Sequence, residues 1–304
     1  MIRSFQDIVK EALARTPKRK VVVPEPDRAT LDVLYDASRL GLADPVFMGR
    51  QRLIEDALAD ASCPLSCVEI IDVEDAREMP STAIAMLREG RADMVMQGTL
   101  NQRDLISALA AAGPQAPKNG MSYASLFEMP GASRLFMITD TYIRNFPALA
   151  EKKLIIENGL ALARVLGIGA PKIAALAAIE QVNPQIPSTM DSAILSKMSE
   201  RGQFAEALID GPIDIDCAFS SDAAARKGLA SPVTGKVDIY LVPDIESGYS
   251  FAQLLIFIGR MPVVGALLGT PFLVILDMPF VLPGDRVTEI ALASLMKEGP
   301  HECT

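Results

Sequence analysis

The sequence predicts an α/β protein whose sheets are sandwiched by helices. Short apolar runs alternate with longer amphipathic segments along the chain, which is the pattern of strand–helix alternation. The chain has 304 residues, and at about 150 residues per domain this length suggests two domains. A chain of this length can bury a core large enough to fold without disulfides or a structural metal. Two α/β domains are therefore the starting expectation.

The first series of elements runs to about residue 140. It opens with an amphipathic helix, in which five apolar side chains recur at helical spacing: Ile2, Phe5, Ile8, Val9 and Leu13. Short apolar runs predict strands over 20–23, 45–48, 68–72, 94–97, 124–129 and 135–139. The amphipathic segments between them predict helices over 29–40, 52–60, 81–89 and 103–112.

The second series begins with a long helix over 148–166. Strands are predicted over 172–177, 207–210, 239–242, 263–267 and 272–276, and helices over 190–201, 222–227 and 251–258. The last helix covers 285–297, and Asp285 is a plausible N-cap for it.

The boundary between the predicted domains lies near residue 145. Asn145, Phe146 and Pro147 precede the long helix, and a proline at that place fits a helix start. We therefore expect residues 1–145 to belong to the first α/β domain and residues 146–284 to form the second.

The composition argues against several common functions. There are 29 Lys and Arg and 38 Asp and Glu, so the formal charge is −9, which disfavours nucleic acid as a partner. His301 is the single histidine, which argues against a Ser-His-Asp triad or a histidine-rich metal site. Cys63 and Cys67 have no second pair to complete a zinc site, so reduced thiols in a cytoplasmic protein are expected.

The sequence predicts no membrane partner. The N-terminal apolar residues are interrupted by charge, as in an amphipathic helix rather than a signal peptide. The strongly apolar stretch 261–276 is divided by Pro262, Gly265, Gly269 and Pro271. Two buried strands fit this stretch better than a membrane span.

Polar residues follow several predicted strands, where ligands bind in open α/β sheets. Asp27 and Arg28 follow the first strand, and Thr139 and Asp140 end another, with Arg144 close behind. The same pattern recurs in the second series, at Asp210, Asp214, Asp216 and, after Asp244, Gly248. These aspartates predict a binding cleft, with helix caps and Asx-turns as the alternative interpretation.

The segment 183–191 indicates a binding site more specifically than these aspartates do. Ser188 and Asp191 form a capping-box pattern that would open the helix over 190–201. A helix N-terminus with adjacent hydroxyl groups is also an anion site, so Ser188 and Thr189 are candidate ligand-binding residues. Capping alone is the alternative.

Several motifs in the right order resemble the phosphate acetyltransferase and phosphate butyryltransferase family. They are the segments 171–191 and 195–203, Asp210-Gly211-Pro212 with Asp216, Ser231-Pro232-Val233-Thr234-Gly235 and Val242-Pro243-Asp244-Ile245-Glu246-Ser247-Gly248. Earlier stretches are similar too, at Val23-Pro24-Glu25, Leu126-Phe127-Glu128 and Thr139-Asp140. The resemblance covers nearly the whole chain and is closest to the butyryl branch.

The resemblance implies a two-domain fold like that of isocitrate and isopropylmalate dehydrogenases, with the active site in the cleft between the domains. It also implies that the C-terminal helix returns to the first domain, which is then 1–145 plus 285–304, and that the second domain forms a homodimer. The implied reaction moves a short-chain acyl group between coenzyme A and inorganic phosphate. Coenzyme A is a substrate there, and no other cofactor or metal is expected.

The sequence departs from the family at polar positions. The family's Ser-Arg pair after the last strand is absent from 274–286, and its Lys-Gly becomes Gln97-Gly98. An expected arginine falls near Asn119, beside Lys118. The family's Ser-His pair becomes Ser122-Tyr123. Its Gly-Asn pair becomes Gly248-Tyr249, and the lysine that follows that pair becomes Gln253.

Asp285 and Arg286 are the best catalytic candidates, because they lie next to the altered loop. A helix cap followed by an exposed arginine is the alternative interpretation of these two residues. Arg103, Arg144 and Lys118 are other cations that could replace those lost. Three functions stay open, and the first is an active phosphate acyltransferase. The second is a family member that binds acyl-CoA or a phosphorylated ligand without turnover, or that serves as a subunit of a larger complex. The third is an enzyme of the same fold with another substrate, such as acyl-carrier protein.

Overall fold

The computed structural model describes residues 1–60, 68–112, 120–204 and 207–297. In these residues the chain forms two β-sheets flanked by helices, which confirms the predicted α/β class. Expectations about six residues fall outside the described part of the chain: Cys63, Cys67, Lys118, Asn119, His301 and Cys303.

The chain divides into two compact units. The N-terminal unit comprises Phe5–Lys118 and Val264–Thr304, and the central unit comprises Met1–Ser4 and Asn119–Val263. The unit boundaries at residues 118/119 and 263/264 differ from the sequence-based domain boundaries at 145 and 284. The difference arises because the strand Leu135–Thr139, which precedes residue 145, pairs in parallel with Ile239–Leu241 in the sheet of the central unit.

The N-terminal unit contains a parallel sheet. Its strands are β1 (Arg19–Pro24), β2 (Ala43–Gly49), β3 (Glu69–Asp72), β4 (Met94–Met96) and β11 (Leu273–Ile275), in the order β11-β4-β1-β2-β3. Its helices are α1 (Phe5–Arg15), α2 (Arg28–Leu40), α3 (Gln51–Asp60), α4 (Met79–Arg88), α5 (Gln102–Ala110) and α11 (Pro283–Lys297). Three valines of β1, Val21, Val22 and Val23, are fully buried, as expected for a strand covered on both faces.

The central unit holds a second sheet, with strand order β5-β6-β9-β7-β8. These strands are β5 (Ser122–Glu128), β6 (Leu135–Thr139), β7 (Lys172–Leu176), β8 (Leu208–Ile213) and β9 (Ile239–Leu241). Its helices are α6 (Leu149–Val165), α7 (Pro187–Glu200), α8 (Ile215–Phe219), α9 (Ser221–Arg226) and α10 (Ile245–Gln253), and a π-helical turn, Leu254–Ile258, continues α10. Strand β10 (Val263–Leu268) starts at the last residue of this unit.

Helix starts are where the sequence-based expectations failed most often. Asp27 caps α2 as predicted, since its carboxylate accepts the Thr30 N–H at 2.8 Å. The helix predicted over 251–258 instead begins at Ile245, because the Asp244 carboxylate accepts the Ser247 N–H at 2.8 Å. The short helix α8 was not predicted.

Two further capping predictions are wrong. Helix α7 begins at Pro187, and its N-cap is Ile186, so Ser188 lies inside the first turn and forms no capping box. Helix α11 begins at Pro283, which places Asp285 in the first turn rather than at the N-cap. In both helices a proline, which is favoured at the first helical position, sets the start upstream of the predicted cap.

No helix in the described ranges combines the length and the hydropathy needed to cross a lipid bilayer.

Candidate functional site

A cavity of about 600 Å³ lies in the central unit, at the carboxyl ends of β7 and β9. Its walls come from the residues that follow these strands and from the first turns of α6, α7 and α10. We call it the central cavity, and its lining is Phe146, Pro147, Lys152, Leu176, Ala177, Ala178, Pro187, Ser188, Asp191, Ile215, Val242, Pro243, Asp244, Ser247 and Phe251. Of the predicted site residues, Ser188 belongs to this lining.

One wall of the central cavity contains a largely buried ion pair. The Nζ of Lys152 on α6 lies 2.8 Å from Oδ2 of Asp191 on α7, and the two side chains are 7% and 26% exposed. Asp191 therefore faces Lys152 and does not fold back onto the N-terminus of its own helix. The two residues are 39 positions apart, and no local pattern in the sequence indicated their pairing.

Asp140 builds the turn after β6. Its carboxylate accepts four backbone N–H groups, from Tyr123, Tyr142, Ile143 and Arg144, at 2.8 to 3.1 Å. Burial raises the pKa of Asp140, and these four donors act against that shift. The preceding Thr139 is fully buried and donates its hydroxyl to the Tyr123 carbonyl at 3.3 Å.

Arg144 and Gly248 lie beside this turn. The Arg144 Nε donates to the Met121 carbonyl at 3.0 Å, and its Nη1 donates to Glu151 Oε1 at 2.9 Å, so the guanidinium ties the residue before β5 to α6. A Cβ on Gly248 would lie 2.7 Å from the Asp140 carbonyl oxygen, so only glycine fits there without a shift of the backbone. The structure thus brings Asp140, Arg144 and Gly248 together.

Thr189 and Asp210 make local contacts. The Thr189 hydroxyl is buried, lies 2.8 Å from the Ile186 carbonyl and accepts the Asn183 N–H at 2.9 Å, which holds the loop before α7. The Asp210 carboxylate accepts the Ser196 hydroxyl at 3.0 Å and the Gly211 N–H at 2.8 Å.

Asp216 belongs to a charged cluster around Lys227. The Lys227 ammonium lies 2.8 Å from Asp216 and 2.7 Å from Glu180, and it also pairs with Asp214. The ammonium lowers the pKa of Asp216 and of Glu180, and the three carboxylates raise the pKa of Lys227. Burial is the main cause that raises the pKa of the adjacent Cys217 thiol to about 12, which keeps it protonated at neutral pH.

The remaining predicted site residues lie in the N-terminal unit. Arg28 is the first residue of α2, and its Nε lies 3.1 Å from Asp32 Oδ1 on the exposed face of that helix. Gln97 follows β4, donates to the Leu100 carbonyl at 2.8 Å and accepts the Asp277 N–H at 2.9 Å. The Gln97 amide therefore fixes the loop after β11.

Arg286 is 6% exposed, so the alternative of an exposed arginine is wrong. Its Nη1 donates to Asp277 Oδ1 at 2.5 Å, and its Nε lies 3.7 Å from Oε2 of the buried Glu289. Among the described residues, the Arg286 Nε and Nη2 atoms and Glu289 Oε2 have no hydrogen-bond partner. The guanidinium thus keeps unused hydrogen-bonding capacity beside the altered loop.

Glu289 gives the N-terminal unit a dependence on pH. Burial is the main cause that raises its pKa to about 8, while Arg286 and the Gly265 N–H oppose the shift. Between its ordinary pKa and about 8, the folded chain holds a proton that the unfolded chain has lost, so stability falls as the pH rises through this window.

Glu289→Gln is therefore expected to reduce the loss of stability that accompanies a rise in pH. Between pH 5 and 8 the free energy of unfolding of the wild type should fall by about 3 kcal/mol more than that of the variant. Urea unfolding at several pH values measures both slopes. Equal slopes for the two proteins would mean that Glu289 is ionised in the folded state.

The sequence analysis located candidate residues at strand ends, but it missed several charged residues that contact or neighbour them. Lys152, Lys227 and Glu289 were not singled out, although each contacts or neighbours a predicted site residue. A charged residue inside an otherwise apolar helix stripe, as at Glu289 with Leu292 and Ala293 on the same face, is a sequence signal that could have indicated one of them.

Comparisons with known proteins agree with this architecture. A family model described as "Phosphate acetyl/butaryl transferase" matches residues 77–274. The chain is 33% identical over 298 residues to the phosphate butyryltransferase of Clostridium acetobutylicum, covering 97% of this chain and 99% of that protein. It is 32% identical over 292 residues to the phosphate acetyltransferase of Rhizobium meliloti, covering 96% of this chain and 92% of that protein.

A solved structure shares the fold. The branched-chain phosphotransacylase from Enterococcus faecalis superimposes with a TM-score of 0.79 at 21% identity, covering 93% of this chain and all of that chain. The match to the family model and the similarity over almost the full length of both curated relatives lead to one conclusion. This chain belongs to the phosphate acetyl/butyryl transferase family.

Proposed function

We propose that this protein is a phosphate acyltransferase that moves a short-chain acyl group between coenzyme A and inorganic phosphate. The observation that carries the proposal is the 33% identity to a phosphate butyryltransferase over 97% of this chain and 99% of the relative. Coenzyme A is then a substrate, and no other cofactor takes part in the proposed reaction. The predicted cytoplasmic location stays a prediction.

In the proposed reaction a phosphate oxygen attacks the thioester carbonyl carbon of acyl-CoA. The carbon–sulfur bond breaks, and acyl phosphate and the protonated thiol of coenzyme A leave. Holding the two substrates together lowers the barrier by proximity, and a nearby cation stabilises the oxyanion that develops on the carbonyl.

Arg286 is the cation that we assign to phosphate, together with Asp285 for the movement of the thiol proton. Because Asp277 already occupies one edge of the Arg286 guanidinium, phosphate has to compete with this half-exposed carboxylate. The Nη2 of Arg286 supports the assignment, since no described residue uses its hydrogen-bonding capacity.

The other site residues that the sequence predicts are proposed to support substrate binding. Asp140, Arg144, Thr139 and Gly248 hold the turn after β6 through the contacts described above, and Thr189, Asp210 and Asp216 fix neighbouring loops. Arg28 lies at the surface of α2 and is a candidate partner for a phosphate group of the substrate.

A second candidate function is ligand binding without turnover. The observation that favours it is that three candidate arginines already have partners: Arg28 pairs with Asp32, Arg144 with Glu151 and Arg286 with Asp277. A cation held in this way is less available to a substrate anion.

One assay separates the two functions. The purified protein is mixed with acetyl-, propionyl- or butyryl-CoA and phosphate, and free thiol is measured over time. We expect phosphate-dependent thiol release with at least one of them. If no thiol appears while coenzyme A still raises the melting temperature, the protein binds the ligand without turnover.

We also propose that two copies associate through the central unit. Three large apolar side chains of the π-helical turn, Leu254, Phe257 and Ile258, are each more than half exposed, and such a patch is typical of an interface. Light scattering is expected to give twice the mass of one chain. A single-chain mass at micromolar concentration would contradict the dimer.

A further inference from the structure

Glu289 is a buried acid to which the proposed reaction assigns no role. It lies on α11, three residues after Arg286, and is 2% exposed. Its Oε1 accepts the Gly265 N–H at 2.8 Å, which fixes the position of the carboxyl group. Its Oε2 lies 3.7 Å from the Arg286 Nε, and neither atom has a hydrogen-bond partner among the described residues. The two groups are therefore close enough to attract each other without being joined by a hydrogen bond.

The Arg286 guanidinium is held firmly from one side. Its Nη1 donates to the half-exposed Asp277 carboxylate, whereas its Nε and Nη2 are unused within the described residues. A protonated Glu289 carries no charge and exerts no net pull on the guanidinium. An ionised Glu289 at the same distance attracts it strongly, because opposite charges interact more strongly in a buried setting than in water. The proton on Glu289 thus decides whether Arg286 is held by one carboxylate or by two.

The charged groups around Glu289 favour its neutral form. Asp285 of α11 and Asp277 after β11 oppose its ionisation, and Arg286 favours it. Arg19 of β1 also reaches α11, but at the Ser294 carbonyl, which is more than a turn further along. Burial is the main cause that raises the pKa of Glu289 to about 8, so this acid is protonated at neutral pH.

The neighbouring helices add no buried charge near Glu289. Helices α1 and α2, which the structure describes in full, pack against α11. Their buried residues are uncharged, namely Phe5, Ile8 and Ala12 on α1 and Thr30, Leu31, Val33, Leu34 and Ala37 on α2. Lys10 of α1 is exposed and lines a surface groove with Asp285 and Thr288. Arg286 is therefore the cation that an ionised Glu289 would meet in the interior of this unit.

We propose that Glu289 is a positioning residue for phosphate binding, an inference that rests on the assignment of Arg286 to phosphate in the proposed function. Protonated Glu289 leaves the guanidinium available to phosphate. Ionised Glu289 draws the guanidinium toward itself and adds a negative charge close to the bound anion. Phosphate affinity therefore falls as the pH rises through the range in which Glu289 loses its proton. By linkage, phosphate binding in that range makes the protein take up a proton.

Glu289→Gln tests the inference, because the amide stays neutral, has the shape of the protonated carboxyl group and keeps an oxygen for the Gly265 N–H. Glu74→Gln removes an exposed carboxylate from the same unit and is the matched control. The three proteins are titrated calorimetrically with inorganic phosphate at about pH 7 and about pH 9, at a temperature where circular dichroism shows them folded. Buffers of different ionisation enthalpy give the number of protons exchanged. The ionisation of free phosphate itself is common to all three proteins and cancels in the comparison.

From about pH 7 to about pH 9, the phosphate affinity of the wild type and of Glu74→Gln should fall by about fivefold to tenfold more than that of Glu289→Gln. This limit arises because about a tenth of Glu289 keeps its proton one pH unit above its pKa. The wild type should also take up more protons per phosphate than Glu289→Gln. In the wild type alone, phosphate should raise the pH at which the buried glutamate titrates, as followed by carbon NMR of labelled carboxyl groups.

The outcomes separate this inference from the proposed function. If the wild type releases thiol but shares its pH dependence and proton uptake with Glu289→Gln, the function stands and the positioning role is overturned. If the wild type releases no thiol, the phosphate titrations decide alone. A dependence on Glu289 then supports the positioning role, and no phosphate binding at about pH 7 overturns it. Should Glu289→Gln fail to fold, a glutamate titration that phosphate does not move in the wild type overturns the inference.

Discussion

Arg286→Ala is expected to lower the rate of thiol release from butyryl-CoA and phosphate by about tenfold or more, because the loss of one positioned cation from an active site typically costs at least this much. The guanidinium is held by Asp277 on one side and lies 3.7 Å from Glu289 on the other, beside the loop where the family's Ser-Arg pair is absent. Its loss removes the cation that we assign to phosphate, so the KM for phosphate should rise more than that for butyryl-CoA.

A buried arginine also contributes to packing, so the rates are compared at a temperature where all proteins are folded, as checked by circular dichroism. Arg226→Ala, which removes an exposed arginine from α9, is the matched control and should leave the rate unchanged. Asp277→Asn keeps the shape of the loop but weakens the competing carboxylate, so it should lower the KM for phosphate. An unchanged rate for folded Arg286→Ala would remove Arg286 from the site.

Gly98→Ala is expected to cost about 3 kcal/mol or more of unfolding free energy, which is at the upper end of overpacking effects. A Cβ at this position would lie 2.2 Å from the Pro24 carbonyl oxygen and 2.3 Å from that of Glu25. Both obstacles are backbone atoms at the end of β1, so no side-chain rotation relieves the contact. Because the Thr99 N–H donates to the Glu25 carbonyl at 2.8 Å, the two segments cannot separate without losing a hydrogen bond.

Guanidinium unfolding of the two proteins measures this difference. Gly169→Ala is the control, because a Cβ there meets nothing within 4 Å and the residue does not need the left-handed region. The control should change stability by less than about 1 kcal/mol. A Gly98→Ala protein with the stability of the control would show that the ends of β1 and β4 move apart freely.

The sequence predicted local features better than tertiary ones. The Asp27 cap was correct because a cap depends on residues three apart. The strand β6 matched its predicted bounds because a short, continuous apolar run is typical of a strand that is buried along its whole length. The caps assigned to Ser188 and Asp285 failed because each helix begins at an upstream proline. In both helices the proline determined where the helix begins, and the predicted cap residue did not.

The ion-pair partners of the charged residues could not be predicted from local sequence patterns, because the partners are far apart in the sequence. Lys152 and Asp191 are 39 residues apart, and Lys227 meets Glu180 across 47. The sequence identified Arg286 as a candidate because its neighbours depart from the family, but its burial follows from how α11 packs. The site could therefore be placed at strand ends, whereas the state of each charged group required the structure.

The cluster around Lys227 has a consequence for chemical stability. An amine attacks an acyl donor in its neutral form, and the three carboxylates raise the pKa of Lys227, which lowers the small neutral fraction below that of an ordinary lysine. Acyl phosphates and thioesters modify exposed lysines spontaneously. A protein that produces such compounds would therefore acylate its own surface, and Lys227 is shielded from that damage by the same contacts that hold its loop in place.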